Sequence, residues 1–194
     1  ALPIYGSKNN QIAVARILKA YYFLQMTDIW GDIPYSEALQ GDKNYAPKYD
    51  KQQDIYTALF KELTEAVAQI KETESSVVGD ILLNGNMAAW KRFANTTRMV
   101  MALRISKADI AKGKTEYAAA IAAGVITSSA QNINYKYIAG DPNNYNPWYN
   151  NYTISNRNDY AISKTMTDYM DPKADPRLPV FAETLAGGVI KGLP

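Results

Sequence analysis

The chain has 194 residues, 47% hydrophobic and 21% charged, with 21 Lys plus Arg against 19 Asp plus Glu. That is enough apolar material to bury a core, and a net charge of +2 gives no sign of a nucleic-acid or membrane-surface partner. With no Cys and no His, these residues exclude disulfides, thiol catalysis, thiolate metal sites, Ser-His-Asp triads and imidazole zinc sites.

The aromatic set is lopsided, with 15 Tyr and 3 Trp against 4 Phe. Tyr and Trp combine an apolar face with a polar handle, which suits partly wet contact surfaces as well as the rim of a core. The longest small-apolar run, Ala118 to Ile126, is half of the roughly 18 residues that a membrane helix needs. The opening Ala1-Leu2-Pro3-Ile4-Tyr5 lacks the basic and apolar regions of a signal peptide. Both ends read as cut, so the chain is expected to be an internal part of a longer protein.

The first predicted helix covers about residues 10–29. Val14, Ile17, Leu18, Tyr21 and Leu24 recur at helical spacing while Ala13, Ala20 and Phe23 line other faces. A helix apolar on several sides is expected to be central. Gly31 and Pro34 stop it, and residues 31–49 read as a loop. Asp50 with Gln53 resembles a capping box opening a second helix to Lys71. Ile55, Leu59, Leu63, Ala66, Val67 and Ile70 form its apolar stripe. A Ser- and Gly-punctuated segment, residues 74–85, leads to a third helix over about 86–111, with Trp90, Ala94, Thr97, Met101 and Ile105 facing inward. An Ala-rich fourth helix follows over about 114–123, ending near Gly124.

Residues 131–157 have a different texture. They are rich in Asn and carry Tyr135, Tyr137, Tyr145, Trp148, Tyr149 and Tyr152, while Pro142 and Pro147 break any long strand. A long aromatic segment without secondary structure of its own is expected to be functional. A fifth helix is expected over about 158–170, and Asp175-Pro176-Arg177-Leu178 then turns the chain. The organisation is therefore all-α and mostly helical: a single domain fragment over 1–194, with residues 1–130 as helical scaffold and 131–194 as an irregular segment plus helix forming the ligand face. Paired helices of these lengths suit a tetratricopeptide-like arrangement.

Phosphate-loop and dinucleotide patterns are absent, and Gly187-Gly188 alone carries no signal. The basic run Lys91, Arg92, Arg98, Arg104 and Lys107 would suit an anion, or a solvated face with Glu62 and Glu65 as partners. The acidic groups Asp28/Asp32/Glu37 and Asp168/Asp171/Asp175 would permit a carboxylate pair about 5–9 Å apart for glycoside hydrolysis. A structural calcium ion is the other option. Neither group has an EF-hand pattern, and Asp beside Gly or Pro is ordinary turn chemistry. No cofactor is expected.

The strongest functional feature is residues 143–160. Flat aromatic faces with amide and charged donors suit a pyranose, whose C–H face stacks on Trp or Tyr while Asn, Arg and Asp satisfy hydroxyls. The same inventory suits a peptide, and residue chemistry alone does not separate the two. On this basis Trp148, Tyr149, Asn150, Tyr152, Arg157 and Asp159 are the candidate ligand-binding residues.

Four runs now come together in order. They are Ala20-Tyr21-Tyr22-Phe23 through Asp28-Ile29-Trp30-Gly31-Asp32-Ile33-Pro34-Tyr35; Tyr49-Asp50-Lys51-Gln52-Gln53-Asp54-Ile55-Tyr56; Trp90-Lys91-Arg92-Phe93-Ala94-Asn95-Thr96-Thr97-Arg98; and Asp175-Pro176-Arg177-Leu178. Together they resemble the signature of the SusD/RagB outer-membrane lipoproteins. The resemblance implies a scaffold of tetratricopeptide-like helix pairs with a less regular binding part. It further implies a lipid-anchored protein on the outer face of a Bacteroidetes outer membrane. There it would capture oligosaccharides, or peptides in some members, without chemical change, and pass them to a SusC-like TonB-dependent transporter. The rival reading is a helical-repeat scaffold for protein partners without a small ligand. The signature residues are expected to be structural: Trp30, Gly31, Pro34 and Tyr35 shaping a turn, Trp90 and Phe93 packing between helices. Tyr21, Tyr22, Tyr35 and Tyr56 are likewise assigned to packing.

Overall fold

The computed structural model describes residues 8–138, 140–157 and 159–194. The opening five residues, and Asn158 at the expected start of the fifth helix, lie outside the described residues. The chain divides into two compact units, one reaching Tyr135 and the other running from Lys136 to Pro194. Among the described residues there are seven helices and no sheet, as the all-α reading expects. Among the described residues no helix is long and apolar enough to cross a membrane.

The first unit contains α1 (Lys8–Trp30), α2 (Gln52–Gln69), α3 (Met87–Arg104) and α4 (Ile110–Ala123). α1 packs on α2, and α3 packs on both α2 and α4. One face of α1, with Ala13, Ile17, Ala20 and Leu24, is buried in a single core. Ile55, Leu59, Leu63 and Ala66 of α2 share it, as do Trp90, Ala94 and Met101 of α3. The i, i+3/i+4 spacing of each set places it on one helical face, and burial of that face stabilises each large side chain by about 1.5–3 kcal/mol. The helix is central, as its multi-sided apolarity leads one to expect, but it is not buried all round. Tyr22, Ile29 and Trp30 on its other face are exposed, Trp30 by 66%.

Polar ties fix the helix ends. Asn10 is fully buried; its amide donates to the carbonyls of Lys71 and Ser75 and accepts from the Lys71 N–H, all near 3 Å, closing the C-terminal end of α2. At the other end the capping-box expectation fails. Asp50 accepts from the backbone N–H groups of Tyr35 and Ser36 and from the Ser36 hydroxyl instead. The cap of α2 comes from Asp32, whose Oδ1 accepts the Gln52 N–H at 2.9 Å while Oδ2 holds Lys51. Asp50 is drawn into the loop because the bridge pairs it with Ile33, which brings its carboxylate to the Tyr35 and Ser36 N–H groups.

The third helix stops at Arg104 rather than running to about 111. A turn over 105–109 intervenes, and the Asp109 carboxylate then caps α4 through the Lys112 N–H at 3.0 Å, so α4 starts at Ile110. Asn95, inside α3 and buried, donates to the carbonyls of Ala123 and Gly124 and thereby closes the end of α4. The basic residues of α3 also have partners other than those expected. Lys91 pairs with Glu72, Arg98 with Glu116 and Arg104 with Asp28, while Glu62 and Glu65 are held by Arg16 of α1.

Asp80, just before α3, gathers the backbone N–H groups of Leu82, Leu83 and Gly85 and the Trp90 indole N–H, the last at 2.7 Å. Burial by itself would raise the Asp80 carboxyl; these donors outweigh it and hold the group below the ordinary carboxylate value. Because the folded pKa lies under the unfolded one, the stabilisation is complete above about pH 4 and disappears as pH falls through the depressed folded value. Asp80→Ala is expected to lower stability in urea unfolding at pH 7 by about 2–4 kcal/mol. Its deficit relative to the unsubstituted protein should shrink as the pH is lowered below about 4; a deficit independent of pH would contradict the assignment.

Candidate functional site

The second unit has far fewer buried side chains, chiefly Thr167, Met170 and Leu178. Its shape depends on capped turns. The segment expected to lack secondary structure contains several. Asp141 accepts the Asn143 N–H to start a 3-10 turn over Pro142–Asn144. Asn146 accepts from the Trp148 and Tyr149 N–H groups and starts a short helix, α5 (Pro147–Tyr149), which continues as a π-helical turn over Asn150–Ile154. An Asx cap followed by Pro at the first helical position is a local device that needs no apolar periodicity. α6 (Lys164–Met170) begins later than the expected 158, with Ser163 as its N-cap. α7 (Leu178–Phe181) follows the Asp-Pro-Arg turn. In that turn Asp175 accepts from the Arg177 guanidinium and backbone N–H, which push its carboxyl down to about 2.

After α7 the chain folds back. The Leu185 N–H bonds to the Val189 carbonyl at 2.8 Å, across a turn whose Gly187 and Gly188 have φ of +92° and +78°, a region open to Gly. The pair that carried no sequence signal thus makes the reversal. Four residues beyond Val189, Leu193 bridges to Ser163, with its N–H on the Ile162 carbonyl and its carbonyl accepting from Lys164. A Cβ on Gly192 would meet Lys164 Cα at 2.5 Å and its N at 2.6 Å, so only Gly permits this approach.

These elements enclose a cleft of about 680 Å³. Its lining combines an aromatic set, Trp148, Tyr152, Tyr160 and Phe181, with an aliphatic set that includes Ile162, Met166, Leu185 and Ile190, and Glu183 and Lys191 are the charged groups. Trp148 and Tyr160 stand edge to face, centroids 4.5 Å apart, and both rings remain about half exposed or more. Asn151 donates to the Tyr160 hydroxyl at 3.3 Å, and the Tyr152 hydroxyl donates to Glu183 at 3.1 Å.

Of the six sequence candidates, the structure brings Trp148 and Tyr152 into this cleft and leaves four outside it. Tyr149 lies edge to face with Tyr145 at 5.3 Å. Asn150 is half-buried in the π turn. Arg157 and Asp159 bond to one another, as two opposite charges two residues apart on an open segment readily do. Sequence reasoning missed Tyr160, Glu183 and Lys191. Tyr160 lay inside the aromatic run, but the other two sit in a stretch with no pattern, and only the chain reversal brings them in.

The acidic groups do not assemble. Asp28 accepts from Tyr56 and pairs with Arg104, Asp32 binds Lys51, and Glu37 accepts from Asn44 and Lys48. Asp168 pairs with Lys164 and Asp175 with Arg177. Among the described residues no group of three or more acidic side chains is placed to hold a metal ion.

The family model for starch-binding proteins associating with the outer membrane, SusD-like, matches residues 4–193. No curated protein matches the sequence. Among solved structures, a chitin-binding protein is 38% identical with a TM-score of 0.77, the match covering 88% of this chain and 36% of that one. A SusD homologue from Bacteroides uniformis is 30% identical with a TM-score of 0.80, covering 93% and 38%. A chitin-binding SusD homologue from Flavobacterium johnsoniae is 32% identical with a TM-score of 0.72, covering 86% and 35%. The chain thus spans little more than a third of the length of the structures it matches.

The Glu183 carboxylate beside its hydroxyl raises the Tyr152 phenol above the ordinary tyrosine value. In an absorbance titration, with Tyr152→Phe identifying the phenol concerned, Glu183→Gln is expected to bring this ionisation to lower pH. An unchanged titration would show that the hydrogen bond does not form in solution.

Proposed function

The chain belongs to the SusD-like family, and we propose that it forms part of a lipid-anchored, surface-exposed outer-membrane protein that captures nutrient oligosaccharide. The glycan is handed, chemically unchanged, to a SusC-like TonB-dependent transporter. The observation that carries this reading is the cleft of Trp148, Tyr152 and Tyr160. Exposed, mutually oriented rings give the C–H faces of a pyranose a flat apolar surface, and the hydroxyl and carboxylate at the rim take its polar edges. Two similar structures are of chitin-binding proteins, which makes a β-linked N-acetylglucosamine chain the first ligand to try.

A binding role agrees with the use made of the carboxylates. Glycoside hydrolysis needs two of them facing one sugar, whereas Asp28, Asp32, Asp168 and Asp175 each hold a cation or a helix end. The cleft itself offers Glu183 as its only carboxylate among the described residues.

The test is affinity electrophoresis and calorimetry against a polysaccharide panel. Trp148→Ala and Tyr152→Ala are each expected to weaken glycan binding about tenfold, the scale of one stacked, dehydrated ring. Tyr149→Ala, whose ring lies on Tyr145, should leave it unchanged, and no reducing sugar should be released. If Trp148→Ala and Tyr152→Ala both retain full affinity, the binding site lies elsewhere.

A further inference from the structure

The cleft is poorly matched to a sugar that carries hydroxyls all round. A buried hydroxyl without a partner costs about 1–3 kcal/mol, and the aliphatic set of Ile162, Met166, Leu185 and Ile190 offers no side-chain donor or acceptor. Two charged groups line the same cleft with hydrogen-bonding capacity to give, Glu183 and Lys191. Glu183 engages one carboxylate oxygen, Oε2, with Tyr152, and Lys191 has no partner among the described residues. A carboxylate acceptor, an ammonium donor and an apolar surface are together complementary to an amide bearing a methyl group.

We infer that the cleft reads the acetamido group of an N-acetylated sugar, and that Glu183 and Lys191 are the specificity-determining residues. The inference rests on the cleft being the glycan site. Glu183 Oε1 accepts the amide N–H, the Lys191 ammonium donates to the amide carbonyl, and the methyl group lies against the aliphatic residues. Trp148 and Tyr160 meanwhile carry the ring. Two features of the fold support this assignment. The Gly192 approach fixes the segment bearing Lys191 against the start of α6. The Tyr152 hydroxyl holds one oxygen of Glu183 and so orients the other. A hydroxyl in place of the acetamide can bond to Glu183 or Lys191, but it is shorter, brings no methyl group to the aliphatic residues and meets them with a polar atom. Discrimination of this kind is strong because the penalty falls on the wrong ligand.

Calorimetry with the pentamer of N-acetylglucosamine and with cellopentaose separates the effects, since the two share linkage and backbone and differ at the acetamide. A third arm uses the de-acetylated pentamer and a fourth a capped penta-alanine peptide, which has amides and methyls without a sugar. The unsubstituted protein is expected to bind the acetylated pentamer about tenfold or more tightly than any other arm, the scale of one hydrogen bond to a charged group. Glu183→Gln and Lys191→Met should each weaken binding of the acetylated pentamer far more than binding of cellopentaose, removing most of that preference, with circular dichroism confirming that the fold is kept. Equal binding of both pentamers, or variants that weaken both alike, would overturn the acetamide inference and leave the glycan reading intact. Preference for the peptide would overturn both, as would the absence of binding in every arm.

Discussion

Everything in the first unit depends on how α1 is held against α2. The apolar stripes supply most of the free energy: Ile17, Leu24, Ile55, Leu59 and Leu63 are all essentially inaccessible, and at about 1.5–3 kcal/mol each they outweigh any single polar contact. Apolar contact is tolerant of sliding, however, and it is the polar ends that fix register. Asn10 at one end meets three backbone groups at the close of α2. At the other, Gln52 donates to the Thr27 carbonyl and Asp32 caps α2. A slip of one residue would leave the buried Asn10 amide unpaired at about 1–3 kcal/mol and α2 without its cap, so the pairing has one satisfactory register. The Arg16 cluster with Glu62 and Glu65 lies along the same interface but is partly exposed and screened, and contributes less.

The family motifs are the parts of the sequence that carry these ties. Asp28, Asp32 and Asp50 lie within two different runs, yet they lock one another's loops: Asp32 reaches forward to cap the helix that follows Asp50, and Asp50 reaches back to the Tyr35 and Ser36 backbone. Asn95 in the third run closes α4, and Thr96 accepts the Ile126 N–H just beyond it. A motif of this kind specifies the joint between two elements. It says little about ligand, which fits the expectation that the signature is structural. Trp30 departs from that expectation, since its ring is largely exposed.

Legibility followed the physics of each region. The stripe of α2 could be read because its repeat of Ile55, Leu59, Leu63 and Ala66 answers to helical geometry alone. Its cap could not, because Asp50 and Asp32 are equally good local acceptors and only the Ile33–Asp50 bridge decides between them. Likewise α3 was read too long: residues 105–111 have no Pro or Gly, and the break comes from Asp109 competing for the backbone as a cap. In the second unit Trp148 and Tyr152 stood out by type. Arg157 and Asp159 did too, but a charged pair two residues apart satisfies itself. Glu183 and Lys191 were invisible, since their meaning depends on the Gly187-Gly188 reversal and the close approach at Gly192.

The contrast between the two units bears on how a capture protein should work. A core held by stripes and buried amides is rigid at little cost in side-chain entropy. The cleft of the second unit is instead built from capped turns, with rings that stay largely in water. Such rings give up water when a sugar covers them, each contributing on the order of 1 kcal/mol, and a few together give an affinity that is weak and quickly reversed. On the proposed reading that weakness is functional. A binder that hands its ligand on must release it, and release is governed by the dissociation rate, in which most affinity differences appear. Selectivity must then come from a few polar groups that penalise the wrong ligand rather than from a large buried surface. A cleft with one half-engaged carboxylate and one unpaired ammonium among aliphatic residues has that economy.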